Sequence, residues 1–260
     1  MLGKIIKHEF KATYGVYILM FVALFAVTCA EKVTQYIDMD FALWDVFKIL
    51  LTIVFVLFVI FMAFASQIVS VVRFYKSMTK DQAYLTHTIP VKESTIIWGK
   101  AITAFVWIIL SFIASGIAAI IFLFDSKMLD YVSEGFDMIA DAINKEPVVI
   151  LWAVLVFVLV IISVFAGLFQ FYAAIGMGQM FASHKVAGAV LFYFIIYYAF
   201  NFVTMTCIFI VPEFVRIGDW MSEDALVTVV LAGYVVIELI YLAVCYGITN
   251  YRFSRRMDIQ

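Results

Sequence analysis

Apolar residues recur along this chain in six long runs, separated by short stretches where charges collect. Within a few residues at each end, the runs cover 14–30, 49–72, 101–124, 148–174, 187–211 and 226–248. A helix crossing about 30 Å of hydrocarbon at about 1.5 Å per residue needs roughly 20 such residues. The first run is the shortest and can extend back into the segment before it. The pattern predicts an all-α polytopic membrane protein with six transmembrane helices, forming one domain over 1–260. The prolines agree with these limits. Pro147 precedes the fourth run and suits a first helical turn, Pro212 is expected to end the fifth, and Pro90 falls in a connection.

The segments between the runs carry their own periodicities. In 1–13, Leu2, Ile5, Ile6 and Phe10 share one helical face and Lys4, Lys7 and Lys11 another. Such a helix lies in the headgroup plane, basic side toward anionic lipid, or simply begins the first span. In 125–147, Asp130, Glu134, Asp137 and Asp141 recur at helical steps, as do Leu129, Val132, Phe136, Ile139 and Ile143. An amphipathic helix with a solvated carboxylate face is expected there. The hydrophilic segment 73–100 contains Thr79 and, three residues on, Gln82, a capping-box spacing. It predicts a short helix from about 80 to 88, stopped before Pro90. Trp220, in the short segment 212–225, is expected at the membrane interface.

Composition removes most other classes. The chain is 66% hydrophobic and 14% charged, against about 25% charged in a soluble domain, and its mean hydropathy is +1.09. This excludes an ordinary soluble globule, a disordered chain and a protein binding nucleic acid through a basic face. The net charge of −2 discriminates nothing, but its distribution does. In alternate connections, one side holds 12 of the 17 Lys and Arg, including Lys4, Lys7, Lys11, Arg73, Lys76, Lys80 and Arg252. By the positive-inside rule that side is cytoplasmic, with both termini on it. The acids gather on the other side. Residues 1–30 resemble a signal segment, but Thr28-Cys29-Ala30 is a poor cleavage site, so a retained span is expected. Cys29, Cys207 and Cys245 read as small apolar residues, without disulfide or zinc spacing.

Candidate chemistry is sparse. His8, His87 and His184 lie outside the runs and far apart, and neither HExxH nor GxxxxGK[ST] occurs. No catalytic site, metal site or cofactor is expected in this chain, so a nucleotide that drives it must be hydrolysed by another polypeptide. Ser115-Gly116 reads as a close-packing pair between helices. Gly176 and Gly178 read as flexible backbone at a helix end. Glu238 is the one charged side chain deep within a run. An ionised group there costs at least about 2.5–3.5 kcal/mol. It is expected to be a neutral carboxyl bonded to another helix, with Gln67, Gln170 and Asn201 as available partners, or a group that contacts substrate or handles protons.

Three segments together, MLGKIIKHEFKATYG, RFYKSMTKDQAYLTHTIPV and IGMGQMFASHKVAG, resemble small six-span permeases of the type-2 ABC exporter family of clostridia-like bacteria. The resemblance implies a plasma-membrane permease subunit, paired with a second, identical or different, permease and with separate ABC ATPases that bind ATP and Mg. It maps an amphipathic connecting helix onto 1–13 and a cytoplasmic coupling helix onto about 79–89. Lys80, Asp81, Gln82, Tyr84, Leu85 and Thr86 would then meet the ATPase. The rival reading is a stand-alone secondary transporter or channel using Glu238. Three spans plus three would suit inverted repeats, yet no internal repeat is visible.

Overall fold

The computed structural model describes residues 2–37, 39, 42–80, 91–124, 128–181, 183–217 and 222–255. They form seven helices: α1 (Leu2–Tyr36), α2 (Ala42–Thr79), α3 (Glu93–Leu123), α4 (Met128–Lys145), α5 (Val148–Gly178), α6 (Lys185–Ile217) and α7 (Glu223–Arg255). No strand occurs among the described residues. All but α4 are long and apolar enough to cross a membrane. Their outward surfaces fit that solvent: Leu19 is 70% exposed and Phe202 75%. The chain is a multi-pass membrane protein.

The helices run further than the apolar runs do. α1 is continuous from Leu2, so the amphipathic segment and the first span are one rod. α2 continues through Thr79, which shortens the expected 73–100 connection to 80–92. The Thr79 hydroxyl donates to the Tyr75 carbonyl at 2.7 Å, one turn back in α2, as threonines do inside helices. The expected helix over 80–88 lies outside the described residues, as does Trp220. α6 runs to Ile217 and so passes Pro212, where the sequence places its end. A proline removes one backbone donor, and membrane helices tolerate that loss.

The described helices group into two compact units. The first comprises residues 1–73 and 95–133. Its apolar core joins Leu24, Phe55, Met62 and Ala118, with Phe55 and Phe122 stacked at 4.8 Å. α1 turns a largely polar face inward: Glu9, Thr13, Tyr17, Thr28, Glu31 and Thr34 are buried. Gly99 of α3 lets the start of α1 approach, because a Cβ there would meet Ile5 Cγ2 at 2.7 Å. Ser115 is buried, but Gly116 is exposed and a Cβ on it would meet nothing. Among the described residues nothing packs on Gly116, and only Ser115 of the pair faces the interior.

The second unit comprises residues 74–94 and 134–260, with α5 packed against both α6 and α7. Phe74 stacks on Tyr172 of α5 at 3.6 Å and meets Phe253 of α7 edge-on at 5.4 Å. Arg252 Nε donates to the Gly176 carbonyl at 3.1 Å. The glycines near this end are set by space, which corrects their reading as flexible backbone. A Cβ on Gly178 would lie 2.5 Å from the Ala189 backbone nitrogen, and one on Gly176 3.2 Å from Arg252 Cβ. Gly188, across the turn, is covered by the Phe181 ring.

Gly178→Ala is expected to destabilise the fold by about 1–3 kcal/mol, because backbone must shift to admit the methyl. Gly167→Ala on the same helix meets nothing within 4 Å and should be neutral or slightly stabilising. Thermal unfolding of the two variants in detergent checks this.

Candidate functional site

A buried ion cluster joins the three long helices of the first unit. Glu9, eight residues into α1, is accepted into the interior with two cations. Lys100 Nζ of α3 donates to its Oε1, and Arg73 Nε of α2 donates to its Oε2 at 2.8 Å. Glu9 and Lys100 are buried. Neither charge could remain there alone, since desolvation costs several kcal/mol per ion. Two cations on one carboxylate leave the cluster with one excess positive charge. Arg73 is the more exposed partner and disperses that charge toward the surface.

From the cluster a hydrogen-bonded column follows α1. Thr13 donates to the Glu9 carbonyl at 2.9 Å and accepts from Trp107 Nε1 of α3 at 2.9 Å. The Trp107 ring lies parallel to Tyr17 at 4.4 Å. Tyr17 Oη donates to the Ser66 carbonyl of α2 at 2.9 Å and lies 2.9 Å from Ser70 Oγ. Glu9, Thr13 and Tyr17 are spaced by four, so they form one stripe on α1. Toward the other end of the same helix, Glu31 is buried and its Oε1 accepts from Thr52 at 2.8 Å, while its Oε2 has no hydrogen-bond partner. The next residue, Lys32, caps the end of α3 by donating to the Phe124 carbonyl at 2.6 Å.

The cluster lies next to the connection singled out in the sequence. Arg73 precedes the end of α2 by six residues, and Lys100 follows the start of α3 by seven. At about 1.5 Å per residue each is within roughly 11 Å of the 80–92 segment along its helix. Arg73 belongs to the first unit and Phe74 to the second. Successive residues of one helix are thus anchored to different units, one by an ion pair and one by ring stacking.

Of the residues proposed to meet an ATPase, Lys80 is exposed at the end of α2, its ammonium 5.7 Å from the Tyr75 ring centroid. Asp81, Gln82, Tyr84, Leu85 and Thr86 lie outside the described residues. Glu238 is buried near the middle of α7, but the three amides expected beside it are engaged or placed elsewhere. Gln67 belongs to the first unit. Gln170 Nε2 donates to the Tyr193 carbonyl at 3.4 Å, and Asn201 Nδ2 to the Tyr197 carbonyl of its own helix at 2.9 Å. The partner of Glu238 is the Ser163 hydroxyl of α5. Among the described residues, no group of three or more His, Cys, Asp and Glu is placed to hold a metal ion.

Sequence reasoning assigned Glu9, Arg73 and Lys100 to the connections and missed their pairing. The signal available was the polar spacing Glu9–Thr13–Tyr17, which makes no sense on a face turned to lipid. Comparison with family models, with curated proteins and with solved structures gives no match.

Glu9→Gln is expected to destabilise the protein by about 3–5 kcal/mol, because Lys100 is left buried and uncompensated. Adding Lys100→Met should recover part of that loss. Chemical unfolding of the single and double variants in micelles measures the coupling; strictly additive losses would mean that the two charges do not interact.

Proposed function

We propose that this chain is the membrane-spanning permease subunit of an ATP-driven exporter, working as a pair of permeases and moved by a separate ATPase. The ATPase docks on the cytoplasmic connection between α2 and α3, at Lys80, Asp81, Gln82, Tyr84, Leu85 and Thr86. The sequence supports the division of labour, because it lacks a phosphate-cradling GxxxxGK[ST] loop. ATP and Mg would be held by the partner, and this chain would supply the moving wall.

The observation that carries the reading is the pair of anchors at 73 and 74. Force applied to the connection enters α2 at Thr79 and α3 at Glu93. On the α2 side it meets first Phe74, locked to Tyr172 and Phe253 of the second unit, and then Arg73, locked to Glu9 of the first. On the α3 side it meets Lys100, locked to the same carboxylate. Helices transmit such displacement because their hydrogen-bonded backbones are stiff and packed interiors resist compression. A docked ATPase could therefore shift both units through one short segment. Glu9 serves this role as a positioning residue: it binds no nucleotide, but it makes α1 follow α2 and α3.

The test is affinity purification of the tagged chain, in mild detergent, from its native host. An ABC-type ATPase should co-purify, and replacing Tyr84 and Leu85 by glutamate should reduce its recovery about tenfold or more, as loss of buried anchors does. Absence of any such ATPase from the wild-type preparation would overturn the proposal.

A further inference from the structure

Helix α4 is an 18-residue helix, Met128–Lys145, that does not span the membrane. Its two faces differ in chemistry. Val132, Phe136, Ile139 and Ile143 follow one another at steps of four, three and four and share one face. Glu134, Asp137 and Asp141 follow at steps of three and four on the opposite face. Both faces are open. Phe136 is 69% exposed, Ile139 57% and Val132 42%, and the three acids are exposed as well. An amphipathic helix normally turns its apolar face toward a protein core. Most of this face is left uncovered.

The chain on either side says what lies beneath it. α3 and α5 are successive apolar helices long enough to cross the membrane, so the connection between them begins and ends at the same surface. Both are apolar up to that connection: α3 closes on Ile121-Phe122-Leu123, and α5 opens on Val148-Val149-Ile150. Their ends therefore sit at the border of the hydrocarbon. Met128 follows Leu123 by five residues, and Val148 follows Lys145 by three. At no more than about 3.6 Å per residue, the ends of α4 are held within about 18 Å and about 11 Å of the two spans. An upright α4, about 27 Å long at about 1.5 Å per residue, would lift one end beyond its tether. The helix has to lean toward the surface. A second copy of the chain is a poorer occupant, because four side chains fall well short of the roughly 20–30 residues a side of a stable protein interface.

We propose that α4 is an interfacial helix that binds the membrane surface, with Val132, Phe136, Ile139 and Ile143 set among the lipid headgroups and Glu134, Asp137 and Asp141 in water. The apolar face of such a helix reaches about 5–10 Å into the boundary between headgroups and acyl chains. Basic residues usually help to hold interfacial helices on anionic lipid. Between positions 128 and 145 this helix carries four acids and one base. Burial of the apolar face therefore carries the docking, and charge attraction does not. The inference is independent of the exporter reading.

The experiment uses the full chain in phosphatidylcholine vesicles. Cys29→Ala and Cys207→Ala leave the buried Cys245 as the one native thiol. Nitroxide labels are attached at Phe136→Cys, Ile139→Cys, Asp137→Cys and Asp141→Cys, one position at a time. Relaxation by oxygen, which concentrates in hydrocarbon, is compared with relaxation by a water-soluble nickel chelate. Nickel contact should be several-fold lower at the Phe136 and Ile139 positions than at the Asp137 and Asp141 positions, and oxygen contact higher, in low and high salt alike. Equal nickel contact on the two faces would mean that α4 stands in water and would overturn the inference. Shielding of the Phe136 and Ile139 positions from both relaxing agents would overturn it in favour of a protein cover, which broadening between labels would identify as a second copy. Release of the apolar face by salt would also overturn it, since docking would then rest on charge.

Discussion

The meeting of Glu9 with Lys100 and Arg73 is the interaction on which the first unit depends. Hydrocarbon offers no hydrogen bonds and almost no dielectric screening, so charge in a membrane helix has to be answered from within the protein. One carboxylate answered by two cations from two other helices fixes the rotation of all three, because only one face of each carries the matching group. The rest of the polar column follows from that rotation. Once Glu9 points inward, Thr13 and Tyr17 must point inward too, and both find partners on α2 and α3. The apolar surface is then left to face lipid. The hydrophobic effect does not order helices against lipid, and satisfied polar contacts and close packing do so instead.

The same constraint explains how much could be read from the sequence. The six spans were legible because a run of about 20 apolar residues has few alternatives to a membrane helix. The amphipathic α4 segment was legible from its three- and four-residue steps. The helix ends were not. Glu9, Arg73 and Lys100 look like the charged borders of spans, since an isolated charge is excluded from hydrocarbon. Their pairing joins residues 64 and 91 positions apart, which no local pattern encodes. Gly178 and Gly188 carry no periodic signal either. Their need for a missing Cβ appears only when α5 and α6 are brought together across the turn. Glu238 stood out in the sequence, while its partner Ser163, 75 positions away on α5, did not.

Two polar centres of different character therefore occupy the two units. The ion cluster is closed: its charges are paired and its neighbours are hydrogen-bonded, which suits stiffness. The Glu238 carboxyl is buried in α7 and is answered by a neutral partner, the Ser163 hydroxyl of α5.

The central claim is that this chain moves only when another polypeptide hydrolyses nucleotide for it. The most direct measurement is made on the purified chain alone, reconstituted in sealed vesicles with imposed proton and sodium gradients followed by trapped dyes. The account predicts that both gradients persist as long as in vesicles without protein. Rapid, chain-dependent dissipation of either gradient, lost in Glu238→Gln, would contradict it and identify a self-sufficient, gradient-driven carrier or channel.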